Sequence, residues 1–389
     1  MNLRMKFVRD WGRLDLRYKT LADFSIGGGR YGIAASAVEK SDTLPTYLRI
    51  TDICDDGTLD FSGLKSVDNK KSSNYKLKPN DMVFARTGGS VGRNYFYDRD
   101  DGEFIFAGFL IKFSIDRNSC NPRFIKYYCQ TQEYRDWVKS VNSGSTRGNI
   151  NAKTYEGLPI PDIGRERQDL IVDTLSILDT RITMNKKINH HLEQMAQAIW
   201  SERFRSREPN GVLGDIIELF DSKRVPLSGN QREKMEKFYP YYGATSLMDY
   251  VDDYLFDGIY LLLGEDGTVI DNSGFPILQY IWDKFWVNNH AHVIQGRNGF
   301  TVESLYILLK QTSVSAIVTG AVQHKINQAN LKSLAVVVPS VDEMAEFNAL
   351  IEPLFARIRS NFDENRNLVN TRDTLLPKLM SGELSLADL

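Results

Sequence analysis

The sequence predicts an α+β protein built as an internal pseudo-twofold repeat. Two mixed α/β globular domains are separated by two long antiparallel helices that form a coiled coil. Three observations predict this. First, a walk in steps of four and three from Ile171 meets Leu175, Leu178, Ile182, Asn185, Asn189, Leu192, Ala196 and Ile199. That is a heptad seam, with no Gly or Pro between Arg165 and Phe204. A helix of about 38 residues at 1.5 Å rise is roughly 57 Å long, beyond the usual globular helix, and its stripe needs a partner. Second, an offset of 176 carries Leu175 onto Ile351 and the whole seam onto Phe347, Ile351, Leu354, Ile358, Asn361, Asn365, Leu368, Arg372 and Leu375. Both polar interruptions recur as Asn, and only Arg372 breaks the apolar pattern. Third, the offset holds upstream: GSTRGNIN from Gly144 matches GAVQHKIN from Gly320, and LPIP from Leu158 matches LAVV from Leu334. A period this long is a domain duplication rather than a solenoid repeat.

The expected boundaries are a first globular domain at 1–157, the first long helix at 158–205, a second globular domain at 206–335 and the second long helix at 336–389. In the first globule, Thr46–Ile53 reads as a strand. Lys78-Pro79-Asn80-Asp81 is a turn feeding the strand MVFAR, and RTGGSVGRN (Arg86–Asn94) is a glycine-rich loop with Arg at each flank. Phe104–Ile115 is strand-like, and Asn121–Val141 is helical from an Asn-Pro start. In the second globule, Gly258–Val269 reads as strand, glycine turn, strand. Phe285–Gly296 reads as one strand and Thr301–Gln311 as a helix. The second long helix runs from about Ser340 to Ser381. Pro353 is expected to split off a short lead helix, and Pro377 to end or kink the run. The seam asparagines Asn185, Asn189, Asn361 and Asn365 fix register at a cost in stability. Their symmetric placement predicts antiparallel helices with Asn185 beside Asn365 and Asn189 beside Asn361.

Composition narrows the function. The formal net charge of −2 argues against a globally basic nucleic-acid binder, so any DNA contact must come from local basic patches. Cys54, Cys120 and Cys129 form no CxxC pair, which fits reduced thiols of a cytoplasmic protein and no zinc knuckle. Neither a secretion signal nor a membrane span is expected. GGGRYG and GGSVG do not fit a P-loop or a dinucleotide fingerprint, and turn formation is their ordinary reading. His290 and His292 lie two apart on the expected strand and therefore on one face. Without a third ligand at a recognisable spacing, an exposed polar face touching a partner is favoured over metal. No motif for methyl transfer or phosphodiester cleavage is present, so no catalytic residue is assigned.

The chain resembles the specificity subunits of type I restriction-modification enzymes over its whole length. The carriers are the two long helices at a fixed repeat, SGSTRGNIN and TGAVQHKIN, the LPIP lead-in, the ARTGGSVG and LLLGEDGTV strand-turns, and the closing LLPKLMSGEL. The resemblance implies two target-recognition domains reading different halves of a bipartite double-stranded DNA site. It implies two methyltransferase subunits carrying S-adenosylmethionine on the helices, and a restriction-translocase subunit using ATP and Mg²⁺, with no cofactor in this chain. The residues chosen for DNA contact are Lys70, Lys71, Arg86, Arg93 and Arg147 in the first globule. In the second they are Lys223, Arg224, Asn288, Asn289, His290, Gln323, His324 and Lys325. Each of these is otherwise an ordinary solvated surface group. The alternatives are the recognition part of a type IIB-like restriction system and a coiled-coil adaptor that binds only protein. The repeat also predicts that the half-chain from Met1 to about Arg207 can pair with itself through its helix.

Overall fold

The structure is a computed structural model that describes residues 17–142, 148–320 and 323–384. By contacts it divides into two compact units, residues 1–182 with 366–389 and residues 183–365. Each unit holds one globule and a stretch of both long helices.

The first unit contains β1 (Tyr18–Thr20), β2 (Arg30–Tyr31), β3 (Ala37–Val38), β4 (Thr46–Leu48), β5 (Lys65–Val67), β6 (Asp81–Ala85), β7 (Asn94–Phe96), β8 (Phe104–Phe106), β9 (Leu110–Ser114) and β10 (Pro159–Pro161). Its short helices are α1 (Pro122–Tyr128), α2 (Gln132–Asn142) and α3 (Ala152–Glu156), followed by the long α4 (Arg165–Phe204). One sheet has the order β2-β9-β6-β7 and another β3-β5-β4-β8, while β1 pairs with β10. Every residue of β6 is buried, as expected of a strand covered on both faces. Phe84 of β6 meets Phe113 at 5.8 Å and Tyr155 at 4.8 Å, with Tyr134 and Trp137 of α2 in the same core. Each such side chain contributes about 1.5–3 kcal/mol on burial.

The second unit contains β11 (Gly211–Val212), β12 (Ile217–Leu219), β13 (Tyr239–Tyr242), β14 (Leu247–Val251), β15 (Phe256–Asp257), β16 (Tyr260–Gly264), β17 (Leu278–Ile281), β18 (Lys284–Val287), β19 (Ala291–Gly296) and β20 (Ala335–Val336). Its helices are α5 (Leu213–Ile216), α6 (Gly229–Arg232), α7 (Val302–Lys310), α8 (Gln328–Ser333) and the long α9 (Val341–Ser381). The sheet orders are β12-β19-β16-β17 and β14-β13-β18-β15, with β11 paired to β20. The two globules therefore share the order of the first sheet and three strands of the second, whose fourth strand lies beside β5 in one and beside β18 in the other. In each, one sheet holds a parallel pair, β4 with β8 and β13 with β18. In each, a short helix capped by an Asn side chain (Asn151, Asn327) leads into the last strand.

The long helices run antiparallel. In the second unit the Asn185 Nδ2 donates to Asn365 Oδ1 at 3.0 Å and the Asn361 Nδ2 donates to Asn189 Oδ1 at 2.7 Å, the pairs expected from the seam. Asn185 and Asn361, related by the repeat, are both fully buried. Beyond them Trp200 packs on Phe347 at 5.2 Å, with Ala196, Phe204, Ile351 and Phe355. In the first unit Ile171, Val172 and Leu175 share a core with Leu376, Leu379 and Met380. Arg372, the odd member of the seam, pairs with Asp179 at 3.2 Å, which also accepts from Lys126 Nζ and Tyr127 OH, each at 2.9 Å. Burial works against a charge on Asp179. Lys126, Tyr127 and Arg372 outweigh it and hold the carboxyl below its ordinary range.

Several local expectations are corrected. α9 runs through Pro353 and Pro377 without a break, because flanking Ile351, Phe355, Leu376 and Leu379 are locked into cores, and that packing outweighs the lost backbone bond. The helix expected over Asn121–Val141 is two helices, parted at Cys129–Thr131. Phe285–Gly296 is two strands in different sheets, turned at residues 288–290. After Gly264, isolated bridges of Asp266 with Lys325 and Ile270 with Pro276 stand where a second strand was expected.

Candidate nucleic-acid interface

The site residues gather where one strand leaves the sheet and meets the loop before the short capped helix. In the first globule, Arg86 follows β6. Its N–H donates to Phe109 O at 3.0 Å, its carbonyl accepts from Ile150 N at 2.8 Å, and Gly88 N donates to Gly148 O at 3.2 Å. Gly88 has φ 73°, which a side chain would strain. The glycine-rich loop is thereby laced to the basic loop. The Arg86 guanidinium lies 5.0 Å from the centre of the Tyr31 ring, whose hydroxyl accepts from Ala152 N at 3.1 Å. Among the described residues the buried Arg86 Nε has no hydrogen-bond partner and no carboxylate pairs with Arg86.

The same junction recurs in the second globule, hydrogen bond for hydrogen bond. Glu265 follows β16. Its N–H donates to His290 O at 2.8 Å, its carbonyl accepts from Ile326 N at 2.9 Å, and Gly267 N donates to His324 O at 3.0 Å. The bridge between Thr87 and Asn149 in the first globule has its counterpart between Asp266 and Lys325. Arg224 Nη1 donates to Glu265 at 2.7 Å and to Ala291 O at 2.7 Å, and Lys325 Nζ lies 3.4 Å from Glu265. His290 Nδ1 is 2.7 Å from Asp266 Oδ1.

Beneath this face sits a buried node. The Asp221 carboxylate accepts from Val293 N at 2.9 Å and from Gln328 Nε2 at 2.7 Å, and meets His292 Nδ1 at 2.6 Å. His292 Nε2 faces Ile326 O at 2.7 Å. Burial opposes a charge on Asp221, but the hydrogen bond and charge of His292, the Val293 N–H and Arg224 hold its carboxyl below the ordinary range. Ligand atoms of Asp221, Glu265 and His292 lie within 4.8 Å of one another. Arg224 already supplies positive charge beside these two carboxylates.

The structure thus brings Arg224, Asn289, His290, His324 and Lys325 together from three stretches of sequence. It also distinguishes residues the sequence could not. Arg224 is braced inside the fold. In the first globule Arg93 ties down a loop through Asp55 at 2.7 Å and Ile53 O at 3.1 Å. Asn288 is buried, its Oδ1 accepting from His290 N at 2.8 Å. His292 is fully buried, which corrects the expectation of an exposed face shared with His290: β19 turns it into the core toward Asp221. Lys223 is exposed with its ammonium over the Phe220 ring, and Gln323 is exposed. Lys70 and Lys71 are exposed on a turn, and Arg147 lies outside the described residues. Sequence reasoning missed Tyr31, Asp221, Glu265 and Asp266. The pair Arg86/Glu265 stands at an offset of 179, three more than the helices, so the repeat did not align them.

Comparison with known proteins assigns the family. The model of the type I restriction modification DNA specificity domain matches residues 39–194 and 210–370. The chain is 24% identical over 314 residues to the MjaIX specificity subunit of Methanocaldococcus jannaschii, covering 71% of this chain and 72% of that one. It is 21% identical over 403 aligned positions to the HindI specificity subunit of Haemophilus influenzae, covering 79% and 87%. A putative specificity subunit of the same organism is 28% identical over 145 residues, 37% of this chain and 36% of that one. Among solved structures, the S subunit of the type I restriction-modification system from M. genitalium aligns over 95% of this chain and 96% of that one, at a TM-score of 0.49 and 17% identity. No helix among the described residues is long and apolar enough to cross a membrane. With two matched domains covering most of its length, the chain belongs to the family of type I restriction-modification DNA specificity subunits.

Proposed function

We propose that this chain reads a bipartite double-stranded DNA site, one half through each globule, and scaffolds the subunits that act on it. The observation that carries this reading is the duplicated junction: the same backbone hydrogen bonds present Arg86, Thr87 and Asn149 on one globule and Glu265, Asp266 and Lys325 on the other. A repeated frame with different polar side chains suits two different half-sites. Two methyltransferase subunits supplying S-adenosylmethionine pack on the long helices, and a restriction-translocase subunit supplies ATP and Mg²⁺ chemistry, all in the cytoplasm. The chain itself binds none of these cofactors and catalyses neither methylation nor cleavage.

Tritium transfer from S-adenosylmethionine to DNA tests this division of labour. The purified chain alone transfers none, and addition of the methyltransferase subunit restores transfer at one bipartite sequence. Transfer by the chain alone would refute the non-catalytic role. A complex that assembles but shows no preference for any DNA sequence would favour the protein-only adaptor.

Lys70 and Lys71 are exposed, and among the described residues their ammonium groups form no ion pair, which suits phosphate contact. Lys71→Ala is expected to weaken binding to all sequences alike and to flatten the dependence of log K on log salt by about one unit. Titrations at several salt concentrations check it. A loss confined to one target sequence would instead make Lys71 a base reader.

A further inference from the structure

The two globules share the junction's backbone and invert its chemistry. Arg86 and Glu265 each receive the N–H of the repeated isoleucine, Ile150 or Ile326, and each donates to the residue before the next strand, Phe109 or His290. The first position is a cation stacked on Tyr31 with no carboxylate partner among the described residues. The second is an anion, and it is neutralised: Arg224 and Lys325 lie 2.7 Å and 3.4 Å from Glu265. One step on, Thr87 is replaced by Asp266, which is partly exposed and held by His290 at 2.7 Å. The remaining carboxylate oxygen of Asp266 is an acceptor.

Resting on the DNA-reading function above, we infer that the two readers select bases of opposite hydrogen-bond character at this equivalent place. Arg86, pre-oriented on Tyr31, donates to the O6 and N7 acceptors of a guanine in the first half-site. Asp266, braced by His290, accepts from an exocyclic amino group in the second, cytosine N4 or adenine N6. The major groove distinguishes these edges, and a guanidinium held by an aromatic face keeps its planar fork free for bidentate contact. Tyr31 is thereby a positioning residue.

The test uses the complex of the full chain with its methyltransferase subunit, on duplexes of its own mapped target carrying base analogues. 7-Deazaguanine removes the N7 acceptor, and analogues of cytosine and adenine without the amino group remove the donor and tell the two bases apart. At one guanine, 7-deaza substitution is expected to weaken binding about ten- to a hundredfold in the native complex and not further in Arg86→Ala. Tyr31→Phe keeps that sensitivity and Tyr31→Ala reduces it. In the other half-site, loss of one amino group weakens binding of the native complex but not of Asp266→Ala. The inference is overturned if sensitivity to 7-deazaguanine persists in Arg86→Ala, or if both effects fall in one half-site. It is also overturned if the native complex shows no N7-dependent guanine in one half-site, a readout that holds even where a variant does not fold. Absence of any sequence preference in the native complex takes down the DNA-reading function as well, and is recognised by that.

Discussion

Asp221→Ala is expected to destabilise the second globule by about 3–5 kcal/mol, the cost of breaking a buried ion pair from one side. Asp221 is 7% exposed and ties three parts of the fold: the chain after β12, His292 and Val293 on β19, and Gln328 at the start of α8. Removing the carboxylate leaves the buried His292 Nδ1 and the N–H of Val293 without their hydrogen-bond partner, and takes one of its two carboxylates from Arg224. Asp221→Asn keeps the volume and some acceptor capacity and costs less. The pH dependence follows from the direction of the shift. A carboxyl depressed in the folded state gives stability that is fully present above the unfolded pKa of about 3.9 and is lost as pH falls through the lower folded value. The gap between native and Asp221→Asn is therefore constant near neutrality and closes in strong acid. Denaturant unfolding at pH 7 and below pH 4, followed by hydrogen exchange in β19 and α8, checks both points. A loss under about 1 kcal/mol at pH 7, or a gap that widens in acid, would remove Asp221 from this role.

The half-chain ending at Arg207 is expected to pair with itself at least about a hundredfold more weakly than the same half-chain carrying Trp200→Leu, Arg203→Leu and Phe204→Met. The heptad seam by itself predicts easy pairing, since α4 and α9 carry the same register and the same asparagines. The flanks of the seam argue otherwise. In the first unit, α9 presents Leu376, Leu379 and Met380 to the core around Phe124 and Tyr127, all at most 3% exposed. In a symmetric half-chain dimer these places fall to the repeat-related Trp200, Arg203 and Phe204. Two are larger than the residues they replace, and over-packing costs about 1–3 kcal/mol. The third is a charge at a buried leucine position, and its partner Glu346 corresponds to Leu170 in the half-chain. Asp179 would also lose Arg372 for Ala196, keeping Lys126 and Tyr127. Sedimentation equilibrium of the two half-chains gives the dissociation constants. Equal values would show that the helix ends are interchangeable between the two globules.

How far the sequence reached depends on the range of the interaction concerned. The long helices, their antiparallel direction and the asparagine pairing were legible because they rest on a periodic pattern and its repetition: α4 begins at Arg165 and ends at Phe204, and Asn185 meets Asn365. The strands MVFAR and Ala291–Gly296 were legible from local apolar and β-branched runs, although the break at residues 288–290 was not. The prolines misled, because helix propensity is a local term of a few kcal/mol and Pro353 and Pro377 lie between side chains buried by tertiary packing.

The candidate site was half legible. Sequence alone determined that polar and basic loops follow corresponding strands and precede corresponding helices, which was enough to choose Arg86, His290, His324 and Lys325. It could not decide which charges are free. Arg93 is engaged by Asp55, Arg224 by Glu265, and His292 by Asp221 at positions dozens of residues away. A charge is available to a ligand only when no counter-charge meets it in space. That condition involves pairs brought together by sheet topology, so only the tertiary structure could decide it. The same holds for the match of Arg86 with Glu265. It is carried by backbone hydrogen bonds between separate segments and leaves no identity of side chains for the sequence to show.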